Sequence, residues 1–544
     1  MTDAPVGGAP AESVTAPTAQ HLLSLYEIIG QADEDIPEIG NLDHLEDALG
    51  KLAQRFAVHS AYDVLELLRD GGSALLAGSV SRAILETAVS EQWYQSRPAE
   101  EFPRNATLAI ERDNIRSVVA ELDVSVPNLA RWNNPIPDIR FAHAALGPAL
   151  PNLQTDLSGK ARTSIERITA LPAPIVDLLA MCSHVSHTAL WMAASDDGPE
   201  LGVSSSLSFG AVLSQTTGTA LAAIRGLSGT ALSDLVDSAT RIHEFEIQPS
   251  AGRDRLVESM RAKKPAKDAK VWLETPPPPA LNHLLDEVKA KATEVWRIIN
   301  DAPNPFQTGS PVNLTSALPY LQARDLMWQV IKAVQGQAPP LSSPAAARML
   351  LEQAGDIMWR LADSSDEQLR ARYNAHMDSA TDRKENLYNS LRARTSSPEA
   401  VEKLLYPRGR GSFAIDTRRQ PRGGETTEIP LPRILLGGLV LGVAEPNWGE
   451  LAYKLLTQVA HATPLGLLHS FARFDESTQQ HTLSHEMTAL AIDAACIGIV
   501  YVMRGLAPLI AHQANLPRPD AWLEELRIAV TDVHAAAMLV HFLG

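Results

Sequence analysis

The sequence is poor in cysteine and in aromatic residues, and it has no excess of positive charge. Two of its 544 residues are cysteines, and both lie in apolar helical stretches, which argues against a disulfide scaffold and against a thiolate zinc site. Aromatic residues make up 5% of the chain, and alternating β-branched runs are scarce, so helices are favoured over sheets. The net charge of −17 argues against a general nucleic-acid-coating role, although a local basic loop is compatible with it.

Signals for secretion and for membrane insertion are also lacking. Residues 1–18 are rich in Ala, Pro, Gly and Thr, with no basic segment before an apolar run, which predicts a disordered tail rather than a signal peptide. Segment 434–444 is too short to span a bilayer. Segment 489–510 is long enough, but it carries Asp493 and Pro508 and is better interpreted as a buried bundle helix. We therefore expect a cytoplasmic protein with no membrane partner.

The chain does contain one helical unit twice. Segment 81–88 aligns without a gap with segment 347–354, at an offset of 266 residues, and an Arg, a Leu, a Glu, an Ala and a later Trp match. His187 aligns with His461 in a later block, and an Arg-Gly-Leu segment follows in both copies. Because duplicated units usually pack on each other, the repeat predicts an all-α fold of two related helical bundles, arranged as a pseudo-twofold pair.

Changes in composition predict the domain boundaries. We expect the tail at 1–18, a first bundle at 19–250, a Pro-rich linker with one helix at 251–310, and a second bundle at 311–544. An arginine- and glycine-containing connection at 406–432 is interpreted as a mobile surface loop, with an anion site as the alternative. The predicted helices outside the central part of the first bundle cover 74–96, 103–122, 281–300, 344–363, 366–392, 447–471 and 482–506, with breaks near Gly40 and Gly50 and a cap at Ser484.

Residues kept in both copies are the first candidates for a site. Arg82 and Glu86 are four apart on a predicted helix, as are Arg348 and Glu352. This spacing is typical of an intrahelical ion pair, but apolar neighbours indicate that each pair faces the bundle interior, where it would need further partners.

The two aligned histidines complete this candidate pocket. His187 and His461 lie on a later apolar helix, where a lone histidine is typically a core residue with satisfied hydrogen bonds. Their presence in both copies favours an alternative, a contact with the Arg–Glu pair across the bundle. A ligand pocket is therefore predicted at Arg82, Glu86, His187, Arg348, Glu352 and His461.

Metal and cofactor chemistry have weaker support. Glu86, Asp113 and His187, with their counterparts in the second copy, form a set that could bind a metal, but neither copy has the Glu-x-x-His pair of helical di-iron sites. His485-Glu486 begins like a zinc motif, yet Ala489 stands where the second histidine is required. No phosphate-binding glycine loop occurs. We predict no metal and no cofactor, and keep a metal-dependent enzyme as the weakest alternative.

The order of these motifs carries a family resemblance. A helix with Arg-x-x-x-Glu followed by a helix with Ser/Thr-x-x-x-His resembles bacterial helical-bundle domains of unknown function, which are similar in outline to HEPN-type domains. Many HEPN-type domains are RNA-cutting toxins or nucleotide-binding bundles, and the nucleases carry an Arg and a His four to six residues apart. Arg370 and His376, with five residues between them, match that spacing in one copy only.

The sequence thus leaves the question of enzymatic activity open. It favours a non-enzymatic binding or interaction protein with a polar pocket inside the bundle, whose partner is a small molecule or another protein. An RNA-directed nuclease using Arg370 and His376 is the alternative that the resemblance implies. Nucleic acid would reach such a protein only through a local basic loop.

Overall fold

The structure, a computed structural model, describes the chain in several stretches. These are residues 45–69, 74–99, 102–121, 279–302, 314–338, 341–361, 448–470, 473–475 and 480–543, together with five single positions between 385 and 393. Ten helices lie there: α1 (Leu45–Arg69), α2 (Ala74–Ser96), α3 (Pro103–Glu121), α4 (Pro279–Asp301), α5 (Leu314–Val334), α6 (Ser342–Leu361), α7 (Trp448–Ala460), α8 (Pro464–Ser470), α9 (His485–Gln513) and α10 (Asp520–Leu543). Two short strands, β1 (Arg473–Asp475) and β2 (Gln480–Thr482), pair in antiparallel fashion.

The predicted all-α class is confirmed for the described residues, where the β1–β2 hairpin is the only strand structure. Helices α2, α3, α4 and α6 begin and end within two residues of their predicted bounds. Ser484 caps α9 as predicted, because its Oγ accepts a hydrogen bond from the Met487 N–H at 3.1 Å. The tail at 1–18, the proline-rich part of the linker and the loop at 406–432 lie outside the described residues.

The predicted break at Gly50 is wrong, since α1 continues through it. A side chain at this position would meet the Arg104 guanidinium, because a Cβ built on Gly50 lies 3.3 Å from Arg104 Cζ. The glycine therefore makes room for an arginine from α3 to lie across α1. A glycine in a helix costs about 0.5–1 kcal/mol, which the surrounding packing offsets here.

The predicted helix at 447–471 is also wrong, because the structure has two helices there. Ala462 adopts a positive φ of 44°, which ends α7, and Pro464 then begins α8. The backbone N–H groups of Ala462 and Thr463 still bond to carbonyls of α7, at 3.0 and 3.1 Å. The chain turns sharply while its backbone groups remain paired.

Helix α9 forms the centre of the core. Most of its length is buried, and it packs most extensively against α6 and further against α10, α5 and α4. Gly498 permits a close approach of α9 to α6, since a Cβ there would lie 2.9 Å from Leu350 Cβ. Among the described helices, α9 alone is long and apolar enough to cross a membrane, and 78% of its most apolar window is buried within the protein, as in a core helix.

Of two helices near the linker, α4 was predicted and α5 was not. Helix α4, which falls in the predicted linker, packs against α10 and buries Leu285 and Val288. Helix α5, which contains Pro319, packs against α6 and α9. The buried apolar residues of α1–α3 and of α4–α10 form one continuous hydrophobic core.

Candidate functional site

Five of the six residues predicted to line the pocket form two neighbouring groups, since Glu86 acts electrostatically on Arg348 and Arg348 acts on His461. Glu86 Oε1 accepts a hydrogen bond from Arg82 Nε at 2.9 Å, and Glu86 Oε2 lies 2.5 Å from His461 Nδ1. Arg348 Nη2 donates to Glu352 Oε1 at 2.8 Å. With Tyr453, these residues are called the Glu86 centre below. The sixth predicted residue, His187, lies outside the described residues.

The helical repeat explains this arrangement. A spacing of four residues places the arginine and the glutamate of each pair on the same face of α2 or of α6. Both arginines are buried, at 6% exposure for Arg82 and 2% for Arg348. Glu86 and His461 keep 18% and 21% of their side chains exposed, so solvent reaches this edge of the Glu86 centre.

Tyr453 was not predicted to belong to the site. Its hydroxyl donates to Glu352 Oε1 at 2.7 Å, and the Arg348 guanidinium lies 5.5 Å from the centre of its ring. Burial and the Glu352 carboxylate raise the pKa of Tyr453 to about 12. The phenol therefore stays protonated and acts as a hydrogen-bond donor.

The turn after α7 holds His461 rigidly. Ala462, which follows it, has the positive φ of 44° noted above, and a non-glycine residue in this region is strained. Thr463 Oγ1 bonds to the Gln458 side chain at 2.9 Å and accepts from the Gly466 N–H at 3.3 Å. A Cβ on Gly466 would collide with the Gln458 carbonyl, so glycine is required there. The surrounding bonds therefore maintain the strained geometry that directs His461 to Glu86.

The charges of the Glu86 centre determine its protonation. Burial raises the pKa of the Glu86 carboxyl, but contacts with His461 and Arg82 outweigh burial and lower this pKa to about 2. Burial, together with the charges of Arg82 and Arg348, lowers the pKa of His461 in spite of Glu86. At neutral pH a neutral His461 therefore donates its Nδ1 proton to an ionised Glu86, and the other ring nitrogen carries a lone pair.

Two polar atoms of the Glu86 centre have capacity for a further partner. Within the described stretches, Arg348 Nε is buried without a hydrogen-bond acceptor. The described residues likewise supply no hydrogen bond to His461 Nε2. As far as the described residues go, one buried donor and one acceptor are thus available, in a site with two positive and two negative side chains.

The other predicted sites are not brought together by the described residues. Arg370 and His376 both lie outside them, so the nuclease pair remains a prediction. Asp113 lies on α3, and its side chain is not among those described. Among the described residues, no group of three or more His, Cys, Asp and Glu side chains is placed to hold a metal ion.

The sequence did not predict a second carboxylate–histidine pair, which the structure contains. Asp493 on α9 is fully buried, and its Oδ2 accepts from Trp448 Nε1 at 2.8 Å and pairs with His534 Nδ1 at 2.9 Å. Trp448 also packs against His541, with ring centres 5.4 Å apart. These four residues are called the Asp493 centre. The only signal in the sequence was a lone aspartate in an apolar helix.

A third polar cluster joins the first three helices. Arg104 on α3 donates from Nη2 to Glu91 on α2 at 2.5 Å and from Nη1 to Glu46 on α1 at 3.1 Å. Glu46 also accepts from the backbone N–H groups of Arg104 and Asn105, at 3.0 and 2.9 Å, and so caps the first turn of α3. All its donors and acceptors are directed at each other, which is typical of a structural role.

Comparisons with known proteins do not assign the chain to a family. No protein-family model matches the chain, and neither a curated protein nor a solved structure matches it. The interpretation of the site therefore depends on its own residues.

Proposed function

We propose that this protein binds a small polar ligand at the Glu86 centre. The observation that supports this most strongly is the unused hydrogen-bonding capacity there. Burying a guanidinium N–H without an acceptor costs about 1–3 kcal/mol, and a ligand oxygen that accepts from Arg348 Nε recovers that cost. The exposed edge at Glu86 and His461 supplies the route of entry.

Charge balance narrows the class of ligand. The two arginines and two glutamates of the Glu86 centre cancel, and His461 is neutral, so the site favours neither a strong anion nor a strong cation. A neutral molecule with one hydrogen-bond acceptor and one donor matches the donor on Arg348 and the lone pair on His461. We therefore expect an uncharged or zwitterionic small molecule.

The proposal includes the internal duplication. An offset of 266 residues, which aligns Glu86 with Glu352, also maps α1 and α2 onto the ranges of α5 and α6, and each pair of helices packs together. Arg82 and Arg348 are buried alike, and Glu86 and Glu352 are both partly exposed. On this basis the Glu86 centre is built from both copies, with Glu86 of the first contacting His461 of the second.

Native mass spectrometry of the purified full chain tests the proposal. We expect a bound small molecule that is released on denaturation and that is lost in Arg348→Met. Arg297→Met is the matched control, because Arg297 also pairs with carboxylates on its own helix but is 53% exposed. Arg297→Met should retain the ligand. A ligand that survives in Arg348→Met, or a chain that carries none after growth in rich medium, contradicts the proposal.

A further inference from the structure

The Glu86 centre contains more than a binding site needs. A ligand requires a donor and an acceptor, but it does not require a histidine that is oriented by a partly buried ion pair. His461 is held on one side by the Glu86 carboxylate at 2.5 Å and on the other by a strained turn with φ 44° at Ala462. Strain of this kind persists only where the surroundings enforce it, and it concentrates at functional positions.

The orientation of His461 favours proton transfer. Glu86 accepts from Nδ1, which selects one tautomer and leaves the lone pair on Nε2 free of described partners. A carboxylate behind a histidine in this way stabilises the imidazolium that forms when Nε2 takes a proton. Arg348, which acts electrostatically on His461, has a buried Nε–H without a described acceptor. An N–H of this kind can stabilise negative charge on a substrate oxygen.

We propose that His461 acts as a general base at the Glu86 centre, in the hydrolysis of a small uncharged carboxylic ester, with Arg348 donating to the developing oxyanion. This inference rests on the proposed binding function, because the ester must first bind there, with its carbonyl oxygen as the acceptor and the attacking water as the donor to His461 Nε2. Glu86 is a positioning residue in this scheme, since it acts through His461.

The reaction balances without a metal or a further reactant. A water molecule gives one proton to His461 Nε2, and its oxygen forms a bond to the ester carbonyl carbon. The carbonyl π pair moves to oxygen, which accepts a hydrogen bond from Arg348 Nε. When the carbonyl re-forms, the bond to the alkoxy group breaks, and the leaving oxygen takes the proton from Nε2. The products are a carboxylic acid and an alcohol.

The surrounding charged groups determine the pH dependence. Among the described elements, those that act on His461 are Arg82 and Glu86 on α2 and Arg348 on α6, with Glu352 and Tyr453 bonded to Arg348. Since burial and the two arginines lower the pKa of His461, the neutral base is already present below pH 6.5. The rate of hydrolysis should rise with pH and reach its plateau below that value.

Hydrolysis of 4-nitrophenyl acetate by the full chain tests the inference. We expect His461→Gln to lower the rate about 100-fold, the usual contribution of a positioned acid–base group. His283→Gln is the matched control, because His283 is exposed on α4 and reports only the general reactivity of an imidazole. Glu86→Gln should lower kcat with little change in KM and move the pH midpoint downwards, which loss of a merely structural contact would not do.

A second measurement needs no variant. Diethyl pyrocarbonate should carbethoxylate His461 of the wild-type chain at Nε2, detected by peptide mass spectrometry. Wild-type rates in His461→Gln, or labelling of His283 without labelling of His461, would overturn the general-base inference. Binding is measured separately with the slowly hydrolysed amide 4-nitroacetanilide. If this amide binds and the ester is not hydrolysed, the inference fails and the binding proposal stands; if native mass spectra show no ligand and the amide does not bind, the binding proposal fails as well.

Discussion

Two carboxylate–histidine pairs in this protein have similar contacts but different surroundings. In the Glu86 centre, the carboxylate and His461 are joined at 2.5 Å beside two arginines, and both side chains are partly exposed. In the Asp493 centre, the carboxylate and His534 are joined at 2.9 Å, with Trp448 as the other donor, and Asp493 is fully buried.

The difference shows in the pKa of each histidine. Burial lowers the pKa of both, but Asp493 outweighs burial at His534 and raises its pKa. At His461 the charges of Arg82 and Arg348 act in the same direction as burial, and the pKa is lowered although Glu86 is closer. A carboxylate contact alone therefore does not determine the charge of a histidine. Burial is the largest influence on both histidines, and the charges of Arg82 and Arg348 add to burial at His461, so Glu86 does not reverse the direction there.

The largest expected effect comes from removing the buried carboxylate. Asp493→Ala leaves the Trp448 and His534 donors unpaired in the core, which should lower the free energy of unfolding by about 3–5 kcal/mol. Urea titration followed by circular dichroism measures it. Asp532→Asn on the exposed side of α10 is the control and should change stability by less than about 0.5 kcal/mol. A change in Asp493→Ala as small as that in the control would show that the contacts of the Asp493 centre do not stabilise the fold.

For a single group, the next largest effect is that of acid on one buried neutral histidine. Burial lowers the pKa of His541, in the Asp493 centre, from 6.5 to about 4, and it lowers that of His469 equally. As the pH falls, the unfolded chain binds these protons near pH 6.5, whereas the folded chain binds them only near pH 4. The free energy of unfolding is therefore highest above pH 6.5 and falls as the pH drops from 6.5 towards 4. Each histidine contributes about 3 kcal/mol to this loss. Free energies of unfolding measured between pH 6.5 and pH 4 check this prediction. Replacing His541 with Asn should make the free energy of unfolding depend less on pH. An unchanged pH dependence would contradict the role assigned to His541.

The Glu86 centre should respond less, because it is partly exposed. Glu86→Gln replaces an ionised acceptor of two bonds by a neutral one, which should cost about 1–2 kcal/mol. It should also lower the pKa of His461 further, since the two arginines then act without the opposing carboxylate. The C–H resonances of the His461 ring, followed by NMR against pH, report this shift. A rise in the His461 pKa would contradict the electrostatic explanation of the difference between the two centres.

Local patterns account for the part of the site that the sequence predicted. The spacing of four in Arg82–Glu86 and Arg348–Glu352 is set within one helical turn, so each ion pair follows from local sequence. The sequence repeat then indicated that both pairs belong to a site. The contact of Glu86 with His461 joins residues 375 positions apart, so the repeat could suggest a histidine near the pair but not which one.

Other features depend on tertiary packing and carry no local signal. Helix α5 contains Pro319 and packs against α6, where Gln353 donates a hydrogen bond to the Pro319 carbonyl at 3.2 Å. Asp493 meets His534 only because α9 and α10 pack together. The break after α7 requires a strained alanine that no turn propensity predicts. Partners supplied by other helices determine these features.

The smallest effect is expected for Tyr453→Phe. This variant tests whether Tyr453 is energetically coupled to the Arg348–Glu352 pair or only lies beside it. Tyr453→Phe removes the hydroxyl that donates to Glu352 at 2.7 Å, while the Arg348–Glu352 bond at 2.8 Å remains. The unfolding free energy should therefore fall by about 1 kcal/mol, the net value of one hydrogen bond. In a double-mutant cycle with Glu352→Gln, the two changes should be non-additive by about 0.5–1 kcal/mol, because both remove the same contact. Strict additivity would mean that Tyr453 does not help to hold Glu352, and the Arg82–Glu86 and Arg348–Glu352 pairs would then differ in whether a histidine reaches the carboxylate.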